Sequence, residues 1–502
     1  MFIYKHSDMK SSSDLHELIH ALSMNEKRHF KLLSQRHEGK EGNSYVDLFD
    51  TILEQPEYDE RALKQGLDKA GRLRFATEKN YLQNLVVDSL IHFHRGRPSI
   101  AVYQKLISLD VLAEKKLFRA CLKIARKGKA ETLKLEKLFP ALSFIRWEAS
   151  LLSFTGRMNE MDAVIEEERN VIAWMDVQAR IMQLSFRVRN MISGGKVQQS
   201  ALNELVSSMN RIMKQAEKEK TRTFLTIYYY YSALATAAAF YANHDERKKS
   251  YGLIHDYLEA HPWFILDIPH IYNSNMNNIV STCIALGQYD EAMTWIGRQR
   301  SYMDKYKLKN EAMSARIFLN THEAEIQVYT RRQDHRKGIP LVKSVEQGLR
   351  KFGEYYQGEQ YELIVSLAMF LFAGKDLRGS ARLLNRIASV RTTVQPVPEM
   401  LVTAKLVLLI IHYLNKEPNL GYQLKSTQRW LSKHGYFRSA EAFVRFLEAM
   451  HDRLPVREKK LRCIREWSSF GKLQDDPNEK LLSKYFDFSG WMKKTAELRS
   501  PG

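Results

Sequence analysis

The sequence is poor in the residues that interrupt or staple a chain: its 502 residues include only 12 Pro, 23 Gly and 3 Cys. Few prolines and glycines leave helix as the favoured state throughout and exclude a loop-rich or collagen-like chain. Cys121, Cys283 and Cys463 are odd in number, far apart and without a C-x-x-C, so no disulfide framework is expected. They read as reduced, buried small hydrophobes of a reducing compartment. Long apolar runs are missing too. The most apolar windows, Ile227–Ala242 and Met400–Leu414, fall short of the ~20 residues a membrane span needs, and the second carries Lys405 and His412. The opening "MFIYKHSDMKSSSD" lacks the apolar core of a signal peptide. A cytoplasmic protein with no membrane insertion is the expectation.

Catalytic signatures are equally scarce. There is no G-x-x-x-x-G-K-[ST], no G-x-G-x-x-G after a strand and no G-x-S-x-G. Neither an enzyme nor a cofactor is expected. The acidic run Glu166–Glu168 reads as a solvated helix face.

What is present is positive charge and helical period. The net charge of +19, from 77 basic and 58 acidic residues, favours an acidic partner without choosing among nucleic acid, an anionic membrane surface and an acidic protein tail. Apolar residues recur at helical spacing, and no alternating strand pattern stands out. At "ALGQYDEAMTWI" a helix ends at Leu286, Gly287 turns the chain, and Tyr289, Ala292 and Ile296 line one face of the next helix. Small Ala292 lets two helices approach, and its larger neighbours fill the gap. Weaker versions occur at "TGRMNEMDAVI", "AGKDLRGSARLL" and "AEKKLFRACLKI", and polar breaks fall at Gly195, Asn243, Arg332 and Lys416. The junctions at 115, 156, 195, 243, 287, 332, 374 and 416 are separated by 39 to 48 residues. A hairpin of this size cannot bury its apolar face alone, so the regularity predicts stacked helical hairpins.

The G-x-Y-x-x-A-x-x-x-I run from Gly287 resembles the middle of a tetratricopeptide repeat, with Met276 standing where tryptophan is usual. The resemblance implies an all-α fold, a right-handed superhelix of hairpins, with a HEAT-like array as the competing label. The chain then divides into an N-terminal stretch 1–11 expected to fray, a helical cap over 12–97, the repeat array over 98–478, and a capping segment with tail over 479–502. In that last segment Tyr485, Phe486, Phe488 and Trp491 are the expected apolar anchors. The opening and closing segments also resemble long helical-repeat proteins of Bacteroidetes-type bacteria, which brings no activity with it.

The resemblance places a binding groove on the first helices of the pairs. Counting from the turns nominates Asn277 and Asn278 from Gly287, Arg146 from Gly156, Arg189 from Gly195, and Tyr230 and Tyr241 from Asn243. Asn278 matches the family's consensus asparagine, which hydrogen-bonds extended backbone in peptide-binding members. Asn offers donor and acceptor together, and Arg can grip a carboxylate. A scaffold or adaptor for a protein or peptide is therefore the expected function.

Nucleic acid is the alternative partner. Lys115, Lys116, Arg119, Lys123, Arg126 and Lys127 could contact phosphates, although the simpler reading of this run is the solvated Lys/Arg face of a repeat helix. The N-terminal helices, with Lys27, Arg28, Lys31, Arg72, Arg74 and Lys79, could form a DNA-binding head on a sensing body. A zinc hydrolase ranks third. His16-Glu17-x-x-His20 has the spacing of two zinc-binding imidazoles and a general base, on the flank of the stripe Leu15, Leu18, Ile19 and Leu22. Against it, Ser23 and Glu26 form the S-x-x-E box that starts a second helix, so Glu26 and His29, the nearest third ligands, lie past a break. Little chain precedes the motif to supply the sheet edge that zinc proteases use.

Overall fold

A computed structural model describes residues 13–35, 44–65, 69–195, 197–353, 355–390 and 396–496, and all regular structure among them is helical. The stretch 1–11 lies outside the described residues, as do residues 497–502 of the tail and the side chain of Arg72. The few prolines sit where they cost least. Pro98, Pro269 and Pro398 each open a 17-residue helix, at a position whose N–H has no intrahelical acceptor. Polar side chains start other helices. Thr223, Asn243, Asn310 and Asp376 each accept the backbone N–H three residues on. No helix among the described residues is long and apolar enough to cross a membrane.

The helices end in a shared way. A left-handed residue stands at or next to each of the eight expected junctions: Lys116, Gly156, Gly195, Ala242, Gly287, Gln333, Lys375 and Lys416. At Gly287 (φ 72°) the following N–H, of Gln288, donates to the Cys283 carbonyl at 2.8 Å. The same six-residue bond closes Leu112–Leu117, Leu152–Arg157, Ala238–Asn243, Tyr329–Asp334, Leu371–Asp376 and His412–Glu417. It satisfies carbonyls that the last turn would leave orphaned and reverses the chain. Most of these turns are held by Lys, Gln or Ala rather than Gly, so a scan for glycine under-reports them.

The described residues up to Gln178 form one compact unit and those from Ala179 a second; the boundary falls inside the 33-residue helix Met161–Ser193. In the first unit, Leu15, Ile19, Phe30, Phe49, Leu82 and Val86 make a core among the helices Asp14–Ala21, Met24–Gln35, Ser44–Glu54 and Lys69–Phe93. A separate core, with Val102, Cys121, Phe144 and Leu152, lies among Pro98–Glu114, Phe118–Lys134 and Leu138–Thr155.

The second unit contains six successive helix pairs: Phe224–Phe240 with His244–Ala260, Pro269–Ala285 with Tyr289–Lys305, Glu311–Arg332 with Gly338–Lys351, Gln357–Ala373 with Leu377–Ala388, Pro398–Leu414 with Leu420–His434, and Arg438–His451 with Val456–Leu473. Partner helices pack closely. A Cβ on Gly348 would fall 2.0 Å from the Phe318 ring, so only glycine permits that approach. Ala292, buried as its sequence context implies, shares a core with Met276, Tyr302 and Ile317.

Because the turns are stereochemically demanding, substitutions there have a defined sign. Ala242, exposed with φ 53°, should become more stable by about 1 kcal/mol as Ala242→Gly, and Gly287→Ala should lose about the same. Urea unfolding of the two variants checks both; equal midpoints would refute the strain at these turns.

Candidate functional site

Helix Pro269–Ala285 carries four asparagines, and packing sorts them. Asn273 and Asn275 are buried: Asn273 Oδ1 accepts from Gln299 Nε2 at 2.9 Å, and Asn275 Nδ2 donates to the Tyr251 carbonyl at 3.1 Å. Asn277 and Asn278 are half-buried, and their side chains form no hydrogen bond with any other described residue. With exposed Ser274 and Ser281 they make a polar strip, while Tyr272, Met276, Ile279 and Cys283 point into the core.

The same offsets from the left-handed turn residue identify the matching side on the helices that follow. On Glu311–Arg332 they give Asn320, Glu323 and Gln327, and on Gln357–Ala373 they give Glu362, Ser366 and Met369. These positions do meet: the Ser366 hydroxyl donates to Glu323 Oε1 at 3.1 Å, beside Gln327 Nε2 at 3.2 Å. Sequence reasoning missed them because it carried the mapping over only four turns. The break seen at Arg332 held the signal, one residue from the left-handed Gln333.

Part of this side is covered by the chain itself. The C-terminal segment Leu481–Thr495 buries Leu482, Phe488 and Met492 completely. Of the expected anchors, Phe488 packs on Phe443 at 4.9 Å, Phe486 meets Phe372 at 5.5 Å, and Trp491 meets Tyr413 at 6.2 Å. Tyr485 and Lys484 both donate to Glu362 Oε1, at 3.2 and 3.0 Å. The segment therefore reaches back beyond the last helix pair to Gln357–Ala373. On Pro269–Ala285, the strip from Ser274 to Ser281 carries no such contact among the described residues.

Glu323 lies beside the covered stretch. Its Oε2 is buried without a hydrogen-bond partner. Burial pushes its carboxyl above the usual range; neighbouring Glu362 adds to the rise, and the bonds from Gln327 and Ser366 and the charge of Lys484 oppose it.

The remaining groove candidates are engaged elsewhere. The Tyr230 hydroxyl donates to Asn210 Oδ1 at 2.9 Å and that of Tyr241 to Asn203 Oδ1 at 3.1 Å, tying Phe224–Phe240 to Gln199–Lys218. The left-handed residue there is Ala242, not Asn243, and one residue is about 100° of helix. Counted from Ala242, the offsets of Ser274, Asn277 and Ser281 fall on Tyr229, Ser232 and Thr236. Arg189 is exposed, with its guanidinium 5.6 Å from the Phe186 ring. Arg146, in the first unit, pairs with Glu168 at 2.8 Å.

The basic patch divides. Lys115, Lys116, Arg119, Lys123 and Lys127 are exposed, and Lys116 holds a left-handed turn. Arg126 instead pairs with buried Glu148 at 2.7 Å and with Glu160, and Lys129 pairs with Glu148 at 2.6 Å. A charge used in this way is not available to phosphate. The bonds to Glu148 and Glu160 hold the Arg126 pKa above its ordinary value.

The two histidines of the H-E-x-x-H spacing have structural partners. His16 Nε2 lies 2.9 Å from the Gln55 carbonyl and His20 Nε2 lies 3.4 Å from that of Ile52, so both rings serve the C-terminal end of helix Ser44–Glu54. Their ring centroids are 4.2 Å apart, and burial together with the nearness of His16 lowers the His20 pKa. Ser23 and Glu26 do form the reciprocal box, with Glu26 also bonded to His94 at 2.6 Å. Among the described residues no group of three or more His, Cys, Asp and Glu is placed to hold a metal ion.

No family model matches the chain, and no curated protein matches it either.

The raised Glu323 pKa has a pH signature. A carboxyl that holds its proton more tightly folded than unfolded loses stability as pH rises from its ordinary value of 4.5 through the raised one. Glu323→Gln should therefore be more stable than the parent at pH 7, with the gap closing below pH 4.5. Thermal unfolding across that range tests it; a variant no more stable at pH 7 would show that the carboxylate is satisfied.

Proposed function

We propose that this chain is a non-catalytic intracellular scaffold or adaptor whose second unit binds a protein or peptide partner along one side of its helix pairs. In this reading the pairs are tetratricopeptide-like and wind right-handedly, with the first helix of each pair lining the groove. The carrying observation is the unequal cover of that side. The chain's own C-terminal segment packs on Gln357–Ala373 and Pro398–Leu414, while on Pro269–Ala285 Ser274 and Ser281 are exposed and the half-buried Asn277 and Asn278 have no side-chain partner among the described residues. A short helical segment, Leu481–Lys484 and Phe488–Thr495, inserting aromatic rings there illustrates how a foreign segment could lie.

The chemistry of the strip suits main chain. An extended peptide presents unpaired N–H and C=O groups, and an asparagine amide answers both. Neutral amides and hydroxyls at Asn277, Asn278, Ser274, Ser281 and Gln327 offer a phosphate no cation, so a polypeptide fits better than a nucleic acid here. Three buried, unpaired thiols support a reducing compartment.

Peptide libraries displayed on phage, panned against the full chain, test the reading. Selected peptides should bind Asn277→Ala/Asn278→Ala about 10- to 100-fold more weakly, the loss of two net hydrogen bonds of ~1 kcal/mol or somewhat more each. Undiminished affinity in the double variant would place the binding elsewhere.

A further inference from the structure

The N-terminal block holds a surface of different character. On helix Met24–Gln35 the side chains of Met24, Lys27, Arg28, Lys31 and Leu32 follow the spacing of one helical face. Opposite them Phe30 is buried against Phe49, ring centroids 4.5 Å apart, so the core fixes which side faces out. With Leu53 the five residues line a shallow cleft of about 330 Å³. Its apolar walls are unusually open: Met24 is 80% exposed and Leu32 52%. Lys31 is held by Asp50 at 2.7 Å, whereas Lys27 and Arg28 have no ion-pair partner among the described residues.

We propose that this cleft docks an acidic amphipathic helix of a partner protein. The occupant must do two things at once: cover Met24, Leu32 and Leu53, and supply negative charge to Lys27 and Arg28. A phosphate backbone does only the second and leaves the apolar walls wet. A helix with leucines on one face and glutamates beside them does both, in the helix-in-groove mode. The chain's net charge of +19 speeds encounter with such a partner. The surface is separate from the asparagine strip of the second unit and does not rest on the reading of that strip.

The test uses the full chain and fluorescence anisotropy with a labelled synthetic peptide of about 16 residues, leucines on one helical face and glutamates on the rest, long enough to be helical when docked. Saturable binding is expected, weakened about tenfold or more in Lys27→Glu/Arg28→Glu and about tenfold in Leu32→Ser, and unchanged in Asn277→Ala/Asn278→Ala. Arg28→Ala, a milder change, should weaken it in the same direction, with far-UV circular dichroism of every variant matching the parent. The proposal is overturned if these cleft variants bind like the parent, or if a peptide with its leucines replaced by glutamine binds equally well. It also fails if a DNA duplex or phosphatidylserine vesicles bind more tightly and show the same sensitivity to the variants.

Discussion

Everything described in the second unit depends on how its helices stop. A helix end leaves carbonyls without donors, and a reversal within two residues demands a positive φ. The six-residue bond, as from Gln288 to Cys283, meets both needs at once. It sets where the next helix begins and in which rotational phase, so it also sets which side chains of the preceding helix face its partner. Asn277 and Asn278 lie outward and Asn273 and Asn275 inward because of their distances from Gly287. At the next turn upstream the left-handed residue is Ala242, and there Tyr230 and Tyr241 spend their hydroxyls on Asn210 and Asn203.

The second organising fact is that the chain supplies an occupant for part of its own surface. Leu482, Phe488 and Met492 are fully buried, so this segment belongs to the core rather than resting on it. Its polar leading edge, Lys484 and Tyr485 on Glu362, lies close to where the half-satisfied carboxyl of Glu323 begins the less covered stretch. Apolar filling gives way there to amides and hydroxyls. That change of chemistry along one side is what makes the open stretch a reasonable place for a polypeptide main chain.

Charge follows a similar division between internal use and display. Arg126 and Lys129 converge on the buried Glu148, and leaving that carboxylate unpaired would be costly. Lys27 and Arg28 have no such duty, and they stand between exposed Met24 and Leu32. The large positive excess of the chain is therefore not one uniform surface. Which bases are free is settled by the carboxylates that packing brings near them.

Local sequence determined the helical class, the helix starts at Pro98, Pro269 and Pro398, and the positions of the eight turns to within a residue, because propensity, capping and apolar period act over a few residues. It also marked Asn277 and Asn278 as outward, since Gly287 is both the visible breaker and the left-handed residue. Tertiary structure decided the rest. Lys, Gln and Ala can adopt the left-handed turn, so composition blurs the register by one residue, and one residue is a quarter-turn of helix. Lys484 and Tyr485 meet Glu362 across 122 and 123 residues, and Arg126 meets Glu160 across 34. His16 and His20 reach carbonyls 39 and 32 residues away, which turned a zinc-like spacing into a helix-end contact. Partnerships over such separations are set by how helices pack against one another, and no local window of sequence contains that information.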